Sequence, residues 1–326
     1  MHSVFFFTFI AMYTVENTPE EITLQSAGST VKILPAHGAI LNEWKVKTAT
    51  GETDVIDGYE DTRDFEENVE EKGFRSCKLS PYVCRLYMRT YAYRGQRYHI
   101  GKFIQNGSAL HGLLYDEKFD LKNEHMDQQS ASVTLGYSYT GGDEGFPFPF
   151  TMDVIYELET GNSLRLTTMV TNTGTATMPI ADGWHPYFKL GGKLDECSIR
   201  IASATQVEFN DKLIPTGSLL KDGRFEKQAS LDGVELDNCF VVEGNHANNW
   251  VCQLENDRAG LALDIYAEQN YPYLQMYTPP HRNSIAIENL SGTPDCFNNG
   301  MGLMELAAGE SARFVTRYKI TIKDQQ

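Results

Sequence analysis

The chain has no long hydrophobic run. The most apolar stretch, Val4-Phe5-Phe6-Phe7-Thr8-Phe9-Ile10-Ala11, is far too short to span a bilayer. Only His2 precedes it as a basic n-region, and no small-residue cleavage site follows. It therefore reads poorly as a signal peptide. The readings left for it are an extra strand, or sequence ahead of a true start at Met12. Positive charge is also scarce: 28 Lys and Arg stand against 44 Asp and Glu, a net charge of −16. A field of that sign repels phosphate backbones and argues against nucleic acid as a partner. No membrane partner is indicated either. The six cysteines, at 77, 84, 197, 239, 252 and 296, form no Cys-x-x-Cys and no close Cys/His set. That excludes the familiar zinc spacings and leaves a set of reduced, mostly buried thiols, as expected of a cytoplasmic protein. Strands alternating with amphipathic helices are missing as well, which excludes a βαβ architecture. Gly141-Gly142-Asp143-Glu144-Gly145 lacks a following Lys-Ser/Thr, so it is a flexible loop and not a phosphate cradle.

What is present is period-two alternation. Met152, Val154, Tyr156 and Leu158 alternate with other residues, Glu159-Thr160-Gly161-Asn162 supplies a turn, and Leu164, Leu166, Thr168 and Val170 alternate again. Residues 150–172 thus read as a β-hairpin. Phe314, Thr316, Tyr318, Ile320 and Ile322 repeat the pattern, and residues 30–46 suggest another strand pair. The acidic stretch Thr62 to Lys72 has no clear apolar stripe and reads as a loop or a short helix. No composition break marks a linker. The expectation is an all-β protein: an N-terminal extension or extra strand over 1–22, then one large antiparallel β-sandwich domain over 23–326.

Three segments set one titratable side chain inside an apolar run. They are Leu110-His111-Gly112, Trp184-His185-Pro186-Tyr187-Phe188 and Ile285-Ala286-Ile287-Glu288-Asn289-Leu290. Alternation puts Ala286 and Glu288 on one face of a strand, and the small Ala286 would leave room above the sheet for a ligand. A glutamate on a strand is otherwise a solvent-facing residue. His185, set among aromatics, is desolvated and neutral unless a carboxylate is near. It is also what a satisfied core histidine looks like. The glycines flanking His111 suit close approach of backbone and ligand, or a plain turn. Arg85 follows Ser80-Pro81-Tyr82-Val83-Cys84 and needs an anion or several acceptors, which a sugar's hydroxyls or a salt bridge would equally provide. Asp237 is either a turn-capping side chain or an acceptor for hydroxyl donors.

Taken in order, these segments resemble the aldose 1-epimerase (galactose mutarotase-like) family. The resemblance is carried by Ser80-Pro81-Tyr82-Val83-Cys84-Arg85, Asn106-Gly107-Ser108-Ala109-Leu110-His111-Gly112, Gly145-Phe146-Pro147-Phe148, Gly183-Trp184-His185-Pro186-Tyr187-Phe188, Tyr277-Thr278-Pro279-Pro280 and Ile287-Glu288. It implies a galactose mutarotase-like supersandwich with its site in a concave face, a small sugar as substrate, and no cofactor or metal. It further implies Glu288 as base, His185 as acid, and His111, Arg85 and Asp237 as sugar-binding residues. A family Asn often precedes the arginine, and here that position is Cys84. The Gly-x-His-Pro-Tyr-Phe form of the second histidine motif resembles a less characterised branch. Neither point names the sugar. Two alternatives stand beside an anomerase: a hexose-6-phosphate epimerase of the same fold, for which Arg89, Arg94 and Arg97 form a local positive cluster, and a non-catalytic carbohydrate-binding protein. The sequence is silent on oligomeric state.

Overall fold

Met152, Val154, Tyr156 and Leu158 are fully buried, while Asp153, Ile155 and Glu157 between them keep some exposure. The sequence alternation is therefore the pleat itself: one face of each strand is withdrawn from water. The computed structural model describes residues 13–242 and 247–323. The apolar run Val4–Ala11 lies outside the described residues.

Phe150–Glu159 and Ser163–Asn172 form the expected hairpin. Its turn carries Gly161 at φ +72° and Asn162 at φ +53°, the left-handed conformations that tight hairpin turns demand. The hairpin belongs to a nine-stranded sheet that also contains the C-terminal strand Ser311–Ile322. An eight-stranded sheet lies against it, with Tyr273–Tyr277 and Ile285–Leu290 near its centre. Antiparallel pairing runs through every ladder of these sheets among the described residues.

Aromatic contacts join the two layers. Tyr156 meets Trp184 at 6.0 Å between ring centres, Phe188 meets Tyr318 at 5.2 Å, and Tyr271 meets Phe314 at 5.8 Å. Fully burying side chains of this size stabilises by roughly 1.5–3 kcal/mol each. A third, five-stranded meander runs from Thr14–Asn17 through Ile22–Gln25, Ser29–Leu34 and Ile40–Thr48 to Gly51–Asp54. The stretch before residue 23 thus includes a strand, Thr14–Asn17, paired with Ile22–Gln25. Within Thr62 to Lys72 the chain forms the short helix Thr62–Asn68, capped by Asp61 accepting from the Asp64 N–H and anchored by buried Phe65.

A buried ion pair sits in this core. Lys78 and Asp182 are wholly buried, with Nζ 2.6 Å from Oδ1. Lys78 also lies 4.3 Å above the Trp184 ring and donates to the Gly183 carbonyl, while the Tyr271 hydroxyl donates to Asp182 at 2.7 Å. Burial pushes the Lys78 ammonium down to about 8 and the Asp182 carboxyl up, and the partnership offsets both shifts in part. The pair pins the strand Gly183–Trp184, which leads directly into His185.

Candidate active site

The Glu288 strand, Ile285–Leu290, is buried at every position, so its glutamate is no rim residue. Ile285 and Ile287 join the hydrophobic core. Glu288 and Ala286 occupy the opposite face, as strand alternation requires. Register then builds a polar surface across three strands. Gln275 pairs with Glu288 and Cys239 with Gln275; one step along, Tyr277 pairs with Ala286 and Asp237 with Tyr277.

His185 reaches the same surface from the loop between Gly183–Trp184 and Tyr187–Phe188. Its backbone is clamped on both sides: its N–H donates to the Cys77 carbonyl at 3.1 Å, and its carbonyl accepts from the Ser76 N–H at 2.8 Å. The ring stacks on Tyr187, 5.2 Å between centres and 15° from parallel. Nε2 lies 3.3 Å from Glu288 Oε1. His111 packs its edge against His185 at 5.0 Å and against Phe74 at 4.5 Å. Its backbone stands at φ +59° and its N–H donates to the Cys84 carbonyl at 2.7 Å. Gly112 follows at φ +80°, and a Cβ there would lie 2.2 Å from the Ser80 carbonyl oxygen. The loop can bring His111 to the sheet only with glycine in that place.

Arg85 opens a two-residue strand paired to Leu110, and its Nη1 donates to the Lys212 carbonyl at a long 3.4 Å. Asp237 Oδ1 accepts from Gln275 Nε2 at 2.8 Å; burial pushes its carboxyl up, and the Arg85 charge and that hydrogen bond oppose the shift.

Burial dominates the electrostatics. It pushes the Glu288 carboxyl well above its usual range, with the Asp237 charge adding to the shift and the Cys84 thiol opposing it. It pushes the His185 imidazole down to about 4. His111 is held well below its ordinary value by burial and then by the charges of His185 and Arg85. Burial therefore disfavours a resting ion pair between His185 and Glu288. Both shifts favour a neutral imidazole beside a neutral carboxyl, with one transferable proton at their contact.

All five residues singled out from the sequence, Glu288, His185, His111, Arg85 and Asp237, line one cavity of about 290 Å³. The His111 and His185 Nδ1 atoms and Gln275 Oε1 are buried without a protein partner. Such atoms cost free energy unless something supplies their hydrogen bonds. Phe74, Gln275 and Tyr187 also line the cavity and carried no separate signal in the sequence. Gln275 could have been found by alternation from Tyr277 once its strand was paired with that of Glu288. Arg89, Arg94 and Arg97 are not among the lining residues; Arg94 instead pairs with Glu305 at 3.2 Å. All six cysteines are free thiols. Among the described residues, no group of three or more His, Cys, Asp or Glu is placed to hold a metal ion, and no helix is long and apolar enough to cross a membrane.

The family model described as aldose 1-epimerase matches residues 20–319. An uncharacterized Escherichia coli K12 protein, YihR, is 24% identical over 241 residues, which cover 72% of this chain and 75% of that protein. A galactose mutarotase-like protein from Clostridium acetobutylicum superposes with a TM-score of 0.83 at 19% identity, over 96% of this chain and 99% of its own. Galactose 1-epimerase from Lactobacillus acidophilus gives 0.79 at 17% identity, over 96% and 98%. At such identities the two structures speak for a shared fold.

Proposed function

The chain belongs to the aldose 1-epimerase family, and we propose that it interconverts the α and β anomers of a free, uncharged aldose. The observation that carries this reading is the 3.3 Å contact between His185 and Glu288 at the wall of a cavity that also holds His111, Arg85 and Asp237. Opening a pyranose requires a proton to leave the C1 hydroxyl and another to reach the ring oxygen. Both oxygens are bonded to C1, so an acid and a base side by side suit the task.

The proton the pair shares first passes from Glu288 to His185 along their contact. Glu288 then takes the proton of the C1 hydroxyl while His185 protonates the ring oxygen. The C1–ring oxygen bond breaks and a carbonyl forms at C1. Rotation about C1–C2 turns the other carbonyl face inward. Glu288 returns its proton to the carbonyl oxygen, His185 takes one from the former ring oxygen, and the ring closes on the opposite face. The intermediate stage leaves both groups neutral, the state that burial favours. In this reading His111 holds the C1 oxygen, and Arg85 with Asp237 orients the remaining hydroxyls. Each positioned proton-transfer group is typically worth about 10²–10⁴ in rate.

The cavity wall argues against a phosphorylated sugar. Apart from histidines, Arg85 is its one cationic side chain among the described residues, set against Glu70, Asp237 and Glu288. Polarimetry of freshly dissolved α-D-glucose, α-D-galactose and their 6-phosphates tests the reading. Faster decay of rotation for a free sugar supports it. Acceleration confined to the phosphates would replace it with the hexose-6-phosphate alternative.

A further inference from the structure

We propose that Cys84 is a positioning residue that orients the Glu288 carboxylate through its thiol while holding the His111 loop through its carbonyl. Two independent contacts carry this. Sγ lies 3.9 Å from Glu288 Oε2, while His185 Nε2 lies 3.3 Å from Oε1, and the Cys84 carbonyl accepts the His111 N–H at 2.7 Å. One residue therefore touches both sides of the site. It does so from φ +50°, a left-handed backbone that a cysteine adopts reluctantly and that only the surrounding structure maintains.

The choice of donor has a chemical consequence. A thiol is a weak hydrogen-bond donor, so it steers a carboxylate while stabilising its charge far less than a hydroxyl or an amide would. Apart from His185, which faces Oε1 and receives the transferred proton, the groups around Glu288 add little to that stabilisation. The Tyr187 hydroxyl donates to the Gly73 carbonyl at 3.1 Å, and Asp237 repels the Glu288 charge. Arg85, the permanent cation on the cavity wall among the described residues, acts on Asp237 and Cys84. Cys84 thus keeps Glu288 a strong base in a fixed orientation, at the cost of leaving it readily protonated.

This rests on the reading of Glu288 as the base, so the test separates the two. The kcat/KM profile against pH is measured for wild type, Cys84→Ser, Cys84→Asn and Cys84→Ala. Asn is included because it tolerates the left-handed backbone. The limb at which the shared proton is lost moves to lower pH by roughly half to one unit for Ser and Asn, whose stronger donors favour the carboxylate. It moves to higher pH for Ala, which has no donor. Unmoved limbs across the series overturn the proposal, whether activity stays at the wild-type level or falls equally in all three variants; an equal fall would assign Cys84 a purely structural role. Glu288→Gln, run alongside, reports on the base itself. If that variant keeps wild-type activity, the assignment of Glu288 fails, and the proposal for Cys84 fails with it.

Discussion

Lowering the pH from neutral should weaken the fold through His185 in a way that can be counted in protons. The imidazole is pushed from an ordinary 6.5 down to about 4 by burial. Below pH 6.5 an unfolded chain takes up a proton that the folded site refuses until about pH 4. The stabilising contribution of the neutral ring is therefore complete above 6.5 and is lost as the pH falls toward 4. Each pKa unit corresponds to roughly 1.4 kcal/mol, so the loss reaches about 3 kcal/mol. His111 is shifted in the same direction and adds its own slope, so the wild-type curve alone does not isolate one residue. His185→Gln does: in urea titrations between pH 4 and 6.5, the slope of unfolding free energy against pH should drop by one proton, about 1.4 kcal/mol per pH unit. Superimposable slopes would refute the burial argument and place a charged imidazole in the resting site. The kinetic counterpart is an acid limb of kcat/KM near pH 4 and not near 6.5.

Other outcomes follow from the same geometry. Glu288→Gln should raise Tm at pH 7, because the unfolded chain releases at about 4.5 a proton that the folded carboxyl retains, and the gain should vanish below that pH; a lower Tm at neutral pH would contradict the raised carboxyl. Asp182→Ala leaves Lys78 buried without its partner and should cost about 3–5 kcal/mol in denaturant unfolding, whereas a cost under about 1 kcal/mol would mean water reaches the pair. Asp237→Asn removes a charge that repels the Glu288 carboxylate, so the alkaline limb of kcat/KM should move to lower pH while KM rises. An unmoved limb would show that the two carboxyls do not sense each other.

Much of this architecture was legible because the strands obey period two. Met152 to Leu158 and Leu164 to Val170 announced a hairpin by alternation alone, and Ala286 with Glu288 could be set on a common face before any sheet existed. The site residues stood out for a related reason: a histidine or glutamate inside an apolar run is costly unless it has a partner or a use. Long-range register was beyond reach. Nothing local ties Gln275 to Glu288 or Asp237 to Tyr277, and those pairings lay out the polar face. Lys78 was invisible for the opposite reason, since a strand lysine ordinarily faces water and only the fold reveals its ion pair under Trp184. The cluster of Arg89, Arg94 and Arg97 fitted a phosphate pocket or a strand of solvent-facing arginines equally well from sequence; neighbours along a chain that turns at Arg94, φ +48°, need not share a surface with the cavity, and these three do not line it.

The central claim is that Glu288 and His185 together move protons at C1 of a sugar. The most direct measurement is polarimetry of fresh α-D-glucose and α-D-galactose with wild type and Glu288→Gln side by side. The expected result is accelerated decay of rotation for at least one sugar with wild type, and a rate lower by about 10²-fold or more in the variant. Equal acceleration by both proteins, or none by wild type with either sugar, would contradict it.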